Sequence, residues 1–422
     1  MTKRSATSQP NATRGPLPAG NAAVSGGASA EVFIAFLRLG LTSFGGPIAH
    51  LGYFHEEFVV RRGWLDETTY VDLVALNQFL PGPTSSKVGI AIGLSRAGYA
   101  GALAAWLGFT LPSAVALVLF GYGMGFLGNV LDSGWLHGLK VAAVAVVANA
   151  VLTMMRSLAP DRERATLAVG AAALVLAIPS SFGQIIAIAS GGLIGLLLFR
   201  GEPAQPHVGL PHPVGHGTAV AALVVFFVAL IGLPLLAEAV PVHALQLFDV
   251  FYRAGALVFG GGHVVLPLLQ AAVVPPGWIG NDAFLAGYGA AQAVPGPLFT
   301  FAAYLGTVMG PTPNGWAGAV LCLLAMFLPA FLLVIGPLPF WDALRRRPSA
   351  QAALRGVNAA VVGLLLAALY RPVFTSGISN AGDFALGAAA FLLLFMWKAP
   401  PWLIVAFCAI GGEALTVVPF GQ

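Results

Sequence analysis

The chain has 422 residues, 58% of them hydrophobic and only 9% charged, with a mean hydropathy of +0.86. That composition excludes a soluble globular protein and points to an all-α polytopic membrane protein. The net charge of +4 and pI near 9.2 fit Lys and Arg gathered in cytoplasmic loops better than a nucleic-acid partner. Cys322 and Cys408 lie in apolar runs without partner spacing and read as buried thiols, with no disulfide or metal site argued.

Residues 1–30 are rich in Ser, Ala, Gly and Pro and carry Lys3, Arg4 and Arg14. They lack the apolar core of a signal peptide and read as a disordered cytoplasmic tail. Residues 31–200 form the first repeat. It opens with two apolar pieces, 32–44 and 48–60, split by Gly45, Gly46 and Pro47. Each is shorter than the ~20 residues a membrane span needs. A loop with Arg61, Arg62, Asp66 and Glu67 leads into a second apolar stretch, interrupted from Asn77 and Gln78 through Pro81-Gly82-Pro83 to Thr84, Ser85, Ser86 and Lys87.

A Pro-Gly-Pro triplet cannot sit inside a continuous helix, because each Pro lacks an N–H and clashes one turn back. The helix must stop and restart after Pro83. Its free N–H groups and positive dipole end then lie beside three hydroxyls and an ammonium, a set that suits an oxyanion. Fuller segments follow at 101–126, 139–157, 165–179 and 182–199. Residues 201–217 read as a Pro/Gly/His linker whose His207, His212 and His216 match no standard metal spacing. Residues 218–237 read as an extra transmembrane segment.

Residues 238–422 read as a second repeat. Phe36-Leu37-Arg38 with Phe44-Gly45-Gly46 returns, 215 residues on, as Phe251-Tyr252-Arg253 with Phe259-Gly260-Gly261. Gly63-Trp64, Gln78 and Pro81-Gly82-Pro83 return, 214 on, as Gly277-Trp278, Gln292 and Pro295-Gly296-Pro297. Leu111-Pro112 returns as Leu328-Pro329. Segments 352–370, 384–397 and 401–418 complete the copy. The polar residues are not repeated: the places of Thr84, Ser85, Ser86 and Lys87 are taken by Leu298, Phe299, Thr300 and Phe301.

The first copy, with two broken elements and four full segments, is expected to cross the membrane an even number of times whether its broken elements both span or both re-enter. The extra segment makes the total odd, so the second repeat is predicted to be inverted, as in secondary transporters with discontinuous helices. With a cytoplasmic N-terminus in the inner membrane, Arg96, Arg162, Arg164, Arg200, Arg345, Arg346, Arg347 and Lys398 fall inside, and Lys140 and Arg371 outside. The side taken by Arg61 and Arg62 depends on whether the first broken element spans.

The predicted substrate contacts are Asn77, Gln78, Thr84, Ser85, Ser86, Lys87, Gln292 and Thr300, with Arg38 and Arg253 as the charges kept in register. A charge at bilayer depth costs at least ~2.5 kcal/mol, which weighs towards function for Lys87 over pairing with Asp72 or Glu57. For Arg38 and Arg253 an interfacial anchor competes with anion contact. The breaks at Gly45, Gly46, Pro81, Gly82 and Pro83, and at Gly260, Gly261, Gly262, Pro295, Gly296 and Pro297, let backbone approach a ligand or a neighbouring helix. Candidates for proton coupling are His50, Glu56, Glu57 and His263, against buried, hydrogen-bonded histidines and a charged rim with Arg61 and Arg62. Asp66 reads as rim. No cofactor is implied, and no HExxH, GxSxG or paired-carboxylate motif argues for an enzyme.

Phe44-Gly45-Gly46-Pro47, Arg62-Gly63-Trp64, the run from Asn77 to Pro83, Phe259 to His263, and Ala293 to Pro297 resemble the chromate ion transporter family in its long, two-domain bacterial form. The likeness runs from about Glu31 to the C-terminus. It implies export of chromate from the cytoplasm and resistance to it, with the proton motive force as drive and sulfate as competing look-alike. Read alone, the residues leave a sulfate or other oxyanion transporter and a passive anion channel open. The partners are then the anion, protons and the lipid bilayer. A homodimer is compatible with such a chain.

Overall fold

Apolar runs that lose contact with water satisfy their backbone groups internally by forming helices. The computed structural model describes residues 26–44, 46–126, 134–178, 181–199, 214–259, 262–341 and 347–417, and every regular element among them is helical. The first repeat comprises α1 (Gly26–Thr42), α2 (Gly46–Phe54, continued by a π-helical turn, His55–Arg61), α3 (Glu67–Phe79), α4 (Thr84–Phe126), α5 (Gly134–Leu158), α6 (Arg162–Ala177) and α7 (Ser181–Leu198). The unmatched α8 (His216–Ala239) follows. The second repeat holds α9 (His243–Leu257), α10 (Val265–Val273), α11 (Asn281–Ala293), α12 (Phe301–Val308), α13 (Gly315–Ile335), α14 (Pro348–Ala368), α15 (Ala381–Phe395) and α16 (Pro401–Val417).

Asp66 and Asp161 cap α3 and α6 by accepting the backbone N–H of Thr69 and Arg164, each at 2.8 Å. Helix α1 begins at Gly26, inside the stretch expected to be a tail, and α8 begins at His216, inside the expected linker. Residues 1–25 and 200–213, with His207 and His212, lie outside the described residues.

Helix α4 is really two limbs. Ala97 and Gly98 leave helical geometry, Gly98 at a φ of 62°, and the chain folds back. Gly93 and Gly101 then meet so closely that a Cβ on either would overlap the other's backbone. Helices α12 and α13 make the same hairpin, with Gly306 against Gly318.

The ends of both broken elements of the first repeat meet at one face. Glu31, in α1, accepts from Arg62 and Arg96, each at 3.2 Å, and both guanidiniums lie 5.1 Å from the centre of the Trp64 ring. Arg62 follows α2, and Arg96 ends the first limb of α4. The pair α1–α2 and the pair α3–α4 limb therefore each leave this face and return to it. The second repeat repeats the closure: His243 stacks edge-on to Trp278 at 4.7 Å, and the Gly310 N–H donates to the Trp278 carbonyl at 3.1 Å.

Beyond the broken elements, the repeats trade their last helices. Helix α5 packs against α15 and α16, and α14 packs against α6 and α7. Small residues make these contacts close: a Cβ on Gly138 would overlap the Cys408 carbonyl, and one on Gly356 would overlap Gly191. Five helices among the described residues are long and apolar enough to cross a membrane. Helix α8 packs on α9 and α13 and leaves Val224, Phe227, Val228 and Ile231 exposed, as a lipid-facing surface requires.

Candidate anion site at the paired helix breaks

The two Pro-Gly-Pro breaks adopt the same backbone and hold each other. Gly82 and Gly296 sit at φ values of 103° and 96°, a region that favours glycine. The Gly82 N–H donates to the Val258 carbonyl at 2.6 Å, and the Gly296 N–H donates to the Ser43 carbonyl at 2.9 Å. Ser43 and Val258 occupy equivalent places, 215 residues apart, at the ends of α1 and α9. Each repeat thus threads its break into the end of the other's first helix, as a two-fold interface does.

Behind the first break lies a buried polar cluster. Helix α4 restarts at Thr84, as the sequence predicts, and its first turn closes with Lys87 N–H on the Pro83 carbonyl at 2.8 Å. Thr84 is half-buried; Ser85 and Ser86 are buried. The Ser85 hydroxyl lies 3.2 Å from His50 Nδ1, and His50 Nε2 lies 3.2 Å from the Ser43 carbonyl. Lys87 is fully buried, and its ammonium donates to the carbonyls of Asn77 and Leu80, both at 2.6 Å. It caps the C-terminal end of α3, where carbonyls have no intrahelical partner. Two of its three N–H donors are engaged there. Asn77 donates to the Leu73 carbonyl at 2.8 Å, leaving its buried Oδ1 without a partner among the described residues. Ser43 Oγ, Ser86 Oγ and Thr110 Oγ1 are also buried and have no partner among the described residues.

In front of the second break is a cavity of about 90 Å³, several times what one water needs. Gly46, Pro47, Asn149, His263, Gln292 and Gly296 line it. It brings together the start of α2, the middle of α5 and the end of α11. Gln292 lies beside Tyr288, and its buried Nε2 makes no hydrogen bond of good geometry among the described residues. The Tyr288 hydroxyl is 2.9 Å from His263 Nδ1. The Gly46 backbone, the carboxamides of Asn149 and Gln292 and the His263 imidazole form a donor set with no carboxylate among the described lining residues, which can hold an anion.

Residues 30–196 and 245–412 match the sequence profile of the chromate transporter, once for each repeat. The chain belongs to the chromate transporter family. Similar proteins include a probable chromate transport protein of Synechococcus elongatus, 28% identical over 89% of this chain and 93% of that one. A chromate transport protein of Pseudomonas aeruginosa is 29% identical over 92% of each chain. One from Cupriavidus metallidurans is 26% identical over 90% of this chain and 92% of its own. No solved structure matches.

This chromate transporter family member disperses several residues that the sequence groups. Gln78 and Arg38 are exposed. Arg253 is held by Asp249 at 2.8 and 2.5 Å. Thr300 donates its hydroxyl to the Pro297 carbonyl at 2.8 Å, within a 3-10 turn that opens the second restart. Glu57 is buried and bridges Arg61 and Arg62, each at 2.7 Å, while Glu56 is exposed. Gly262 opens a 3-10 turn; Gly45, Gly260 and Gly261 lie outside the described residues. Sequence reasoning missed Ser43, Thr110 and Asn149. Thr110 flanks the repeated Leu111-Pro112, and Asn149 is a lone amide in apolar α5, so both carried a signal. Ser43 carried none, since its role comes from the opposite repeat.

Proposed function

We propose that the protein is a secondary transporter that exports chromate across the inner membrane against proton influx, conferring chromate resistance. The observation that carries this reading is the cavity in which α2, α5 and α11 present N–H and amide donors beside two mutually locked breaks. A tetrahedral dianion held there meets Gln292, Asn149, His263 and the free N–H groups of α2. Lys87, Ser85, Ser86 and Asn77 brace the first break behind it. Neutral donors suit a carrier, because the anion is held without a permanent counter-charge to retain it. A negative interior favours anion exit by ~2.3 kcal/mol per charge per 100 mV, so a dianion gains about twice that. His50 and His263, each within 3.2 Å of a polar neighbour, are the proton carriers in this proposal.

The repeats are inverted in this proposal, with the N-terminus and residues 200–213 in the cytoplasm. The ion pair of Lys140 with Asp282 at 3.2 Å supports it, for it joins the second turn of α5, one crossing away from Arg96, to the start of α11. Reporters fused at the N-terminus and within residues 201–213 are expected to read cytoplasmic, and a C-terminal one periplasmic.

Uptake of chromate into everted vesicles is the functional test. Uptake is expected to require the protein, to collapse with an uncoupler, and to fall under excess sulfate if the site reads only shape and charge. Uptake indifferent to the uncoupler would instead describe a channel.

A further inference from the structure

A cleft of about 520 Å³ opens between α5, α14 and α15, lined by apolar faces that include Val144, Ala148, Leu366, Tyr370, Phe384 and Phe391. It belongs to neither break. At its edge Arg371 precedes Pro372, which disfavours helical geometry, and Arg371 sits at φ −136°, ψ 116° within a π-helical turn, Leu369–Phe374. Leu369, Tyr370 and Phe374 of this turn line the cleft. Tyr370 and Phe384 at the mouth are 61% and 58% exposed, so the cleft faces the surroundings of the protein, not its core.

Its depth follows from the helices. Arg371 lies 23 residues after Pro348, about 35 Å along a helix, which sets it one hydrocarbon thickness from the start of α14. Lys140, in the second turn of α5, and Asp383, in the first turn of α15, lie near one level: a Cβ on Gly377 would lie 3.0 Å from the Lys140 carbonyl, and Asp383 lies 3.0 Å from His137, one turn before Lys140. From there the cleft runs inward from Phe384 to Phe391, about 10 Å of helix. It is therefore open at headgroup level and apolar below. The cations at its mouth differ. Lys140 is paired with Asp282, whereas Arg371 is exposed and has no partner among the described residues.

We propose that this cleft binds one phospholipid of the surrounding bilayer, with an acyl chain in the cleft and the phosphate on Arg371. An apolar hollow open to the membrane is filled by hydrocarbon, and a planar guanidinium at headgroup level takes a phosphate through paired N–H donors.

Native mass spectrometry of the full chain in mild detergent, doped with phosphatidylglycerol or with diacylglycerol of the same chains, tests it. The wild type is expected to retain one phosphatidylglycerol and little diacylglycerol. Arg371→Ala is expected to lower phospholipid retention at least fivefold, to the diacylglycerol level. Ala388→Trp, which fills the cleft from an exposed position on α15, and Ala148→Phe, from the α5 wall, are each expected to abolish retention while elution volume and melting temperature stay as in the wild type. Equal phospholipid on the wild type and both filled variants overturns the proposal, as does retention indifferent to Arg371. Neither readout uses transport, so the result stands apart from the chromate reading.

Discussion

Lys87 shows how a buried charge can serve the fold that carries a site. Its ammonium answers the Asn77 and Leu80 carbonyls that the Pro-Gly-Pro break leaves without partners. Lys87→Met keeps the stem and removes the donors, leaving two buried carbonyls unpaired at roughly 1–3 kcal/mol each. The expected outcome is a lower melting temperature in detergent together with lost transport. Lost transport with unchanged melting would make Lys87 an anion ligand instead. Gln292 offers the contrasting case, because its Nε2 has no hydrogen-bond partner of good geometry among the described residues and it lines the cavity. Gln292→Ala is expected to raise the half-saturating chromate concentration about tenfold, the equivalent of ~1.4 kcal/mol, with melting unchanged. Both residues are visible as polar exceptions in an apolar sequence. What separates them is the direction each side chain takes, and residue type does not encode that.

At the scale of the element, the breaks are the most legible feature of the chain. Proline excludes a continuous helix on steric grounds, so both interruptions and the restart at Thr84 follow from covalent geometry. The glycines between the prolines are less equal than they read. Both have positive φ, which disfavours any Cβ by about 1–2 kcal/mol. A Cβ on Gly296 would also lie 2.9 Å from Ser113 Oγ and 3.1 Å from the Phe109 carbonyl, whereas one on Gly82 meets nothing nearer than 3.4 Å. Gly296→Ala is therefore expected to destabilise more than Gly82→Ala, read as the difference in melting temperature of the two variants. The reverse order would mean that the first break is the tighter one.

For the whole molecule, the exchange of closing helices makes neither repeat complete. The contacts of α5 with α15 and α16, and of α14 with α6 and α7, are all made across the repeats. A chain cut within residues 201–213 is expected to recover transport when both pieces are expressed together, and the pieces to purify as a complex. Either piece expressed alone is expected to lose the partner helices for α5 or α14 and to be recovered poorly. Stable, separately folded halves would contradict the exchange. Internal repetition announced two related units in the sequence, yet it carried no sign that they interlock.

The sequence by itself determined the all-α membrane class, the two copies, and the places where helices cannot continue, because hydropathy and proline sterics act locally. Only the tertiary structure decided that the broken elements turn back to one face, since that rests on Glu31 meeting Arg62 and Arg96 from different helices. It likewise decided that Lys87 caps α3, that Gln292 faces a cavity, and that each break docks on the other repeat. Such contacts join residues far apart in the chain, and their pairing exists only once the helices are packed.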